Sequence, residues 1–292
     1  MTMKIAFLGI GLMGAPMALN LLKAGFPITV WNRSNGKTGT VREAGALVAD
    51  TPADAVSGAD IVITMVSDGS AVEDLLFGSG AAERILEGAI VIDMSSIKPE
   101  EARAHARRLA DLGVSHLDAP VSGGTRGAQN GTLAIMAGGE EQAFARAAKV
   151  FEPMGRAILL GPSGSGQLAK LANQAIVAIT IGAVAEATLL VREGGIDPAR
   201  FRAVLKGGFA DSVILQQHGE RMQSSDFTPG GRSAFQLKDL DNVLAECRNM
   251  GLSLPLTTLQ RDRFADLVSR LDGGDLDHSA LFLELLDRNH LS

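Results

Sequence analysis

The chain has 292 residues, 46% hydrophobic and 21% charged, with 27 Lys and Arg against 33 Asp and Glu for a net charge of −6. That is enough apolar material for a sizeable core, which excludes a disordered chain, and the length suits two domains. The acidic balance and the lack of any long basic run argue against nucleic acid or a membrane surface as partner, and the single cysteine, Cys247, excludes an intrachain disulfide framework and a Cys-based zinc site.

The opening MTMKIAFLGIG reads as a strand and a turn rather than a signal peptide, so a cytoplasmic location is expected. Lys4–Leu8 is the first predicted strand, followed by a glycine turn and a helix from about Met13 to Ala24. Pro27–Trp31, Ile61–Val66, Ala89–Met94, Val114–Asp118 and Leu133–Ala137 supply further strands, with helical patterns such as Pro99–Leu112 and Glu141–Glu152 between them. Alternating β and α units predict an α/β fold: a doubly wound parallel sheet covered by helices on both faces. GPSGSG, from Gly161, is a breaker cluster, and no strand is predicted after it. The expected domains are therefore 1–162, a Rossmann-type nucleotide-binding domain, and 163–292, an all-helical one. A long helix, about Gly166–Gly194, joins them. Its Leu171–Val191 stretch has the length of a membrane span but contains Asn173, Gln174 and Glu186, so it reads as a helix buried on most sides between domains or subunits. Its Ala- and Gly-rich apolar character predicts a homo-oligomer, dimer or tetramer.

Gly9-Ile10-Gly11-Leu12-Met13-Gly14 is a G-x-G-x-x-G between a predicted strand and a helix, the context a dinucleotide site requires. The first glycine permits the tight turn, the second lets backbone approach a pyrophosphate, and the third lets helix and strand pack closely. The second strand ends at Trp31, followed by Asn32, Arg33 and Ser34, where an NAD site usually places a carboxylate for the ribose hydroxyls. A carboxylate would repel a 2′-phosphate and an arginine fork can bind one, so NADP(H) is the expected cofactor, with NAD(H) possible. Met65 and Ser96 lie at the carboxyl ends of strands, where ligands bind in open α/β sheets.

Asp118-Ala-Pro-Val-Ser122-Gly123-Gly124 follows a strand, and its Ser-Gly-Gly can turn backbone amides inward to hold a carboxylate. Lys170 and Asn173 are three residues apart and share one face of the long helix. A buried lysine beside a nicotinamide can give a proton to a carbonyl oxygen as hydride arrives. A snorkelling lysine with its amine in solvent has the same spacing. Asp277-His278-Ser279 reads as a helix cap rather than a triad. His105, His116, His218 and His290 show no metal-ligand spacing, so no metal is expected.

FLGIGLMGAPMALNLLKAG, DMSSIKP, DAPVSGGTRGAQNGTLAIMAGG, GSGQLAKLANQ and KDLDNVL together resemble the successive signatures of the β-hydroxyacid dehydrogenase family. The resemblance runs through essentially the whole chain, which is far too short for the usual 6-phosphogluconate enzymes of that family. It implies a Rossmann domain and a helical domain joined by a long helix. It also implies Lys170 as catalytic lysine and Asn173 as its substrate-binding partner. Ser122, Gly123 and Gly124 become the substrate-carboxylate loop, and Met65, Ser96 and Lys238 cofactor contacts. KGGFADSVIL, DFTPGGR and DHSAL in the second half are most similar to the tartronate semialdehyde reductase branch. WNRS looks more like the NADPH-preferring glyoxylate and succinic semialdehyde reductases. The expected activity is thus reduction of a small aldehyde acid, tartronate semialdehyde to D-glycerate, with Lys170 as general acid. The alternatives are 3-hydroxyisobutyrate oxidation, glyoxylate or succinic semialdehyde reduction, and a nucleotide-binding regulatory protein without turnover.

Overall fold

The computed structural model describes residues 3–291. Two compact units divide the chain, the first ending at Lys170 and the second beginning at Leu171. The first unit runs β1 (Ile5–Leu8), α1 (Gly14–Lys23), β2 (Ile28–Trp31), α2 (Gly39–Glu43), β3 (Leu47–Val48), α3 (Pro52–Val56), β4 (Ile61–Thr64), α4 (Gly69–Glu73), β5 (Ile90–Asp93), α5 (Pro99–Ala110), β6 (Ser115–Asp118), β7 (Val121–Ser122), α6 (Gly124–Asn130), β8 (Leu133–Gly139), α7 (Glu141–Phe151) and β9 (Gly155–Gly161). It closes with the start of α8 (Ser165–Glu193), a 29-residue helix shared by both units.

The period-2 geometry of a strand explains why continuous apolar runs were needed. Ile5 and Phe7, Ile61 and Ile63, and Ile90 and Ile92 enter a core on one face, packed with Met17, Ala18 and Leu21 of α1 and Ala147 and Val150 of α7. The intervening Ala6, Leu8, Val62 and Val91 enter a second core with Val56, Val72, Ala102 and Leu109 of α3, α4 and α5. The strand order β3-β2-β1-β4-β5-β6 is parallel throughout, the doubly wound arrangement of dinucleotide-binding folds. The sheet then departs from the all-parallel expectation. β6 and β7 pair antiparallel with opposite halves of one edge of β8, and β9, not anticipated from sequence, pairs parallel with the other edge.

In the second unit α8 is followed by α9 (Pro198–Leu205), α10 (Val213–Ser224), α11 (Ser233–Asn249), α12 (Pro255–Ser269) and α13 (Leu281–Arg288), with no strand among the described residues. Ala178, Ile181, Ala185 and Leu189 recur at helical spacing and bury one stripe of α8 against Leu215, Leu240, Phe264, Leu281 and Phe282. α8 is the one described helix long and apolar enough to cross a membrane by length and composition. The other face of α8 is open within the single chain, with Ile176 and Leu190 exposed.

Candidate active site

The C-terminal ends of the parallel strands gather most of the residues singled out above. The Leu8, Trp31 and Thr64 ends of β1, β2 and β4 lie in register, so the Gly9–Gly14 turn, Asn32 and Met65 leave the sheet side by side. Gly9 has φ +107° and donates its N–H to the Trp31 carbonyl; a Cβ there would collide with the Met65 carbonyl oxygen. A Cβ on Gly14 would collide with the Gly9 carbonyl, so the third glycine is what lets α1 start against the turn. Gly11, by contrast, faces open space, and Leu12 beside it is exposed. This is the room a pyrophosphate needs over the helix start, so the cradle fits a dinucleotide.

Asn32 does more than leave out a carboxylate. Its Oδ1 accepts the Ile10 N–H at 2.9 Å and its Nδ2 donates to the Ser34 carbonyl at 2.9 Å, tying the glycine turn to the loop after β2. Arg33 and Ser34 are exposed.

Ser96 follows β5 in a tightly held loop. Ser95 Oγ accepts the Val66 N–H at 3.0 Å. Gln167, one turn before Lys170 on α8, donates from Nε2 to the Ser95 carbonyl at 2.8 Å and accepts the Ile97 N–H at 3.1 Å. Both neighbours of Ser96 are therefore bound to the helix that carries Lys170. Lys170 is buried, with 9% of the residue exposed. Ser122 ends β7; Gly123 (φ +132°) and Gly124 (φ +60°) then turn the chain through angles that favour glycine, exposed at the start of α6.

Asn173 and Lys238 belong to the second unit. Asn173 Nδ2 donates to Gln174 Oε1 at 2.9 Å, and Lys238 Nζ lies 3.3 Å from Asp239, which also accepts from Gln174.

Two buried carboxyls had no role assigned from sequence. Asp118 Oδ1 and Oδ2 accept the Gly164 and Gln167 N–H groups at 2.7 and 2.9 Å; burial pushes its carboxyl up against those stabilising bonds. Asp93, its partner in register, accepts from Thr64 Oγ1 at 2.7 Å and the Ser95 N–H at 3.0 Å, while its Oδ2 has no partner among the described residues. Burial, with Asp118 adding repulsion, raises Asp93 to about 6. Since the unfolded carboxyl titrates near 3.8, the fold binds this proton more tightly; the contribution to stability is complete below about pH 4 and is lost as pH rises through 6. The stability of Asp93→Asn relative to wild type is thus expected to be greater at pH 7.5 than at pH 5, by on the order of 1 kcal/mol, as read from urea unfolding at both pH values. An equal difference at both would contradict the assignment. His116, pushed down to about 3 by burial, titrates with the opposite sign, but it cancels between variant and wild type.

The histidines are less scattered than the sequence suggested. His218 and His278 rings meet edge to face at 4.7 Å, and their nitrogens lie within 4.8 Å of each other and of an Asp277 oxygen. Asp277 is already saturated, however: Oδ1 accepts from Ser279 N–H and Oγ, and Oδ2 from the Gly230 and Gly231 N–H groups, with Arg221 at 3.4 Å. It caps the turn at His278–Ala280 and closes a loop.

Residues 4–161 match the family described as the NAD binding domain of 6-phosphogluconate dehydrogenase, and residues 164–285 that described as NAD-binding of NADP-dependent 3-hydroxyisobutyrate dehydrogenase. The chain belongs to the 3-hydroxyisobutyrate dehydrogenase-like β-hydroxyacid dehydrogenases. It is 43% identical to the 2-hydroxy-3-oxopropionate reductase of Escherichia coli K12, over 99% of this chain and all of that protein. It is 39% identical to the 3-hydroxyisobutyrate dehydrogenase of Pseudomonas aeruginosa, over 89% and 91% of the two chains. Among solved structures, the 3-hydroxyisobutyrate dehydrogenase of Mycobacterium tuberculosis, with L-serine, superposes with a TM-score of 0.88 at 32% identity, covering 98% of this chain and 99% of that one. As a member of this family of β-hydroxyacid dehydrogenases, the chain is an NAD(P)-dependent oxidoreductase acting on CH–OH groups of a small-molecule substrate.

Proposed function

We propose that the enzyme reduces a small aldehyde acid, tartronate semialdehyde (2-hydroxy-3-oxopropionate), to D-glycerate, with NADPH preferred and NADH also used. The burial of Lys170, on a helix start tied to the loop that holds Ser96, carries this reading. When bound, the reduced nicotinamide supplies the hydride that the aldehyde carbon accepts. Lys170 gives its proton to the alkoxide oxygen as it forms, and takes it back in the oxidative direction. Ser122, Gly123 and Gly124 hold the substrate carboxylate, and Asn173 orients the substrate. Gly9, Gly11, Leu12, Met13 and Gly14 receive the pyrophosphate. Asn32, Arg33 and Ser34 receive the adenosine ribose and its 2′-phosphate, and Met65, Ser96 and Lys238 contact the remainder of the cofactor. The similarity to the E. coli reductase supports the choice of substrate.

3-Hydroxyisobutyrate is the second reading, favoured by the Pseudomonas relative and by the mycobacterial structure with L-serine, itself a β-hydroxy acid. Rates with tartronate semialdehyde, glyoxylate and succinic semialdehyde, and with 3-hydroxyisobutyrate and D-glycerate in reverse, each with both cofactors, separate these readings. Fastest turnover of tartronate semialdehyde with NADPH is the expected result; a higher kcat/KM for 3-hydroxyisobutyrate would overturn the assignment, and cofactor binding without any turnover would favour a regulatory protein. We place the enzyme in the cytoplasm as a homo-oligomer, a state supported by the exposed Ile176 and Leu190 of α8 and measurable by light scattering.

A further inference from the structure

We propose that Gln167, held by Asp118, is a positioning residue for Lys170; the proposal rests on the assignment of Lys170 as proton donor. The start of α8 is clamped more closely than its packing alone requires. Asp118, at the end of β6 and fully buried, receives the Gly164 N–H on one oxygen and the Gln167 N–H on the other, so one carboxylate spans the first turn. Gly166 lies so close to the Met136 and Asp118 carbonyl oxygens that a Cβ would collide with both, and a Cβ on Gly138 would come within 2.8 Å of the Gly166 nitrogen. Lys170 is four residues beyond Gly166 and three beyond Gln167, on the helix face that carries these contacts.

Gln167 converts that clamp into a link with the loop after β5. Fully buried, it uses its amide in both directions, donating to Ser95 and accepting from Ile97. The pair of bonds fixes the azimuth of α8 against the Ser96 loop, and the azimuth decides where the Lys170 ammonium lies relative to anything bound over that loop. A displacement of about 1 Å at a reacting group can cost on the order of 100-fold in rate.

The test is a double-mutant cycle of Gln167→Leu and Lys170→Ala, with tartronate semialdehyde or whichever aldehyde acid the wild type reduces fastest. Gln167→Leu is expected to lower kcat about 10- to 100-fold at saturating NADPH, since the loop it releases also carries Ser96. In the Lys170→Ala background the same substitution is expected to change the residual rate less than about 2-fold, because residues acting through one another are not additive. Should the leucine variant not fold, Gln167→Glu serves the same cycle, since it keeps an acceptor for the Ile97 N–H and loses the donor to Ser95. Equal losses in both backgrounds, or an unchanged kcat, overturn the positioning role alone. Wild-type kcat in Lys170→Ala overturns the donor assignment and this role with it.

Discussion

Lys170→Ala is expected to lower kcat for aldehyde reduction by about 100- to 10,000-fold, the range a positioned general acid contributes. The loss falls on kcat because the proton is needed only as charge develops on the oxygen, so an interaction made in the transition state is removed. NADPH binding should survive, since the glycine turn, Asn32 and the Ser95–Ile97 loop are held by their own bonds. Steady-state kinetics with tartronate semialdehyde give the answer. A rise in KM with kcat unchanged would make Lys170 a binding residue only.

The second large effect concerns the cofactor. Arg33→Ala is expected to raise the KM for NADPH about 10- to 100-fold, matching the loss of charge-assisted hydrogen bonds worth roughly 1.5–3 kcal/mol. The KM for NADH should stay within about 2-fold. Arg33 is exposed, so the substitution leaves no buried group unpaired. Asn32 is a poorer place to test preference: its Oδ1 and Nδ2 both hold the loop, so Asn32→Asp would combine a charge effect with loss of the bond to Ser34. Parallel NADPH and NADH titrations of Arg33→Ala decide the matter, and equal losses for both would refute 2′-phosphate recognition.

Local chemistry made the nucleotide half legible. Gly9, Gly11 and Gly14 follow an apolar run and open a helix, a pattern whose geometry is carried by adjacent residues, and the all-buried β4 and β5 announced themselves as continuous Ile and Val runs. β3, two residues long, and β9, which alternates between half-buried and exposed positions at a sheet edge, carry too weak a pattern to stand out from loops. The reversal at β8 was hidden for another reason. Strand direction is set by the connection, and the stretch from Asp118 to Leu133, with its short α6, is long enough for a parallel crossover yet serves an antiparallel pairing. Lys170 and the Ser122–Gly124 turn stood out by residue type, but the roles expected of them came from the family resemblance, because spacing alone suits a snorkelling lysine and a tight glycine loop equally well. Asp118 and Gln167 did not stand out, because their meaning lies in partners 46 to 72 residues away in sequence. Nor did the pairing of His218 with His278, which the packing of α10 against the turn before α13 creates.

The most direct measurement is a single-turnover experiment. Enzyme loaded with NADPH is mixed with tartronate semialdehyde, and loss of the reduced nicotinamide absorbance is followed for wild type and Lys170→Ala, with NADPH occupancy measured on the same samples. A drop of about 100-fold or more in the first turnover at equal occupancy is the predicted result; equal first-turnover rates would contradict Lys170 as the proton donor.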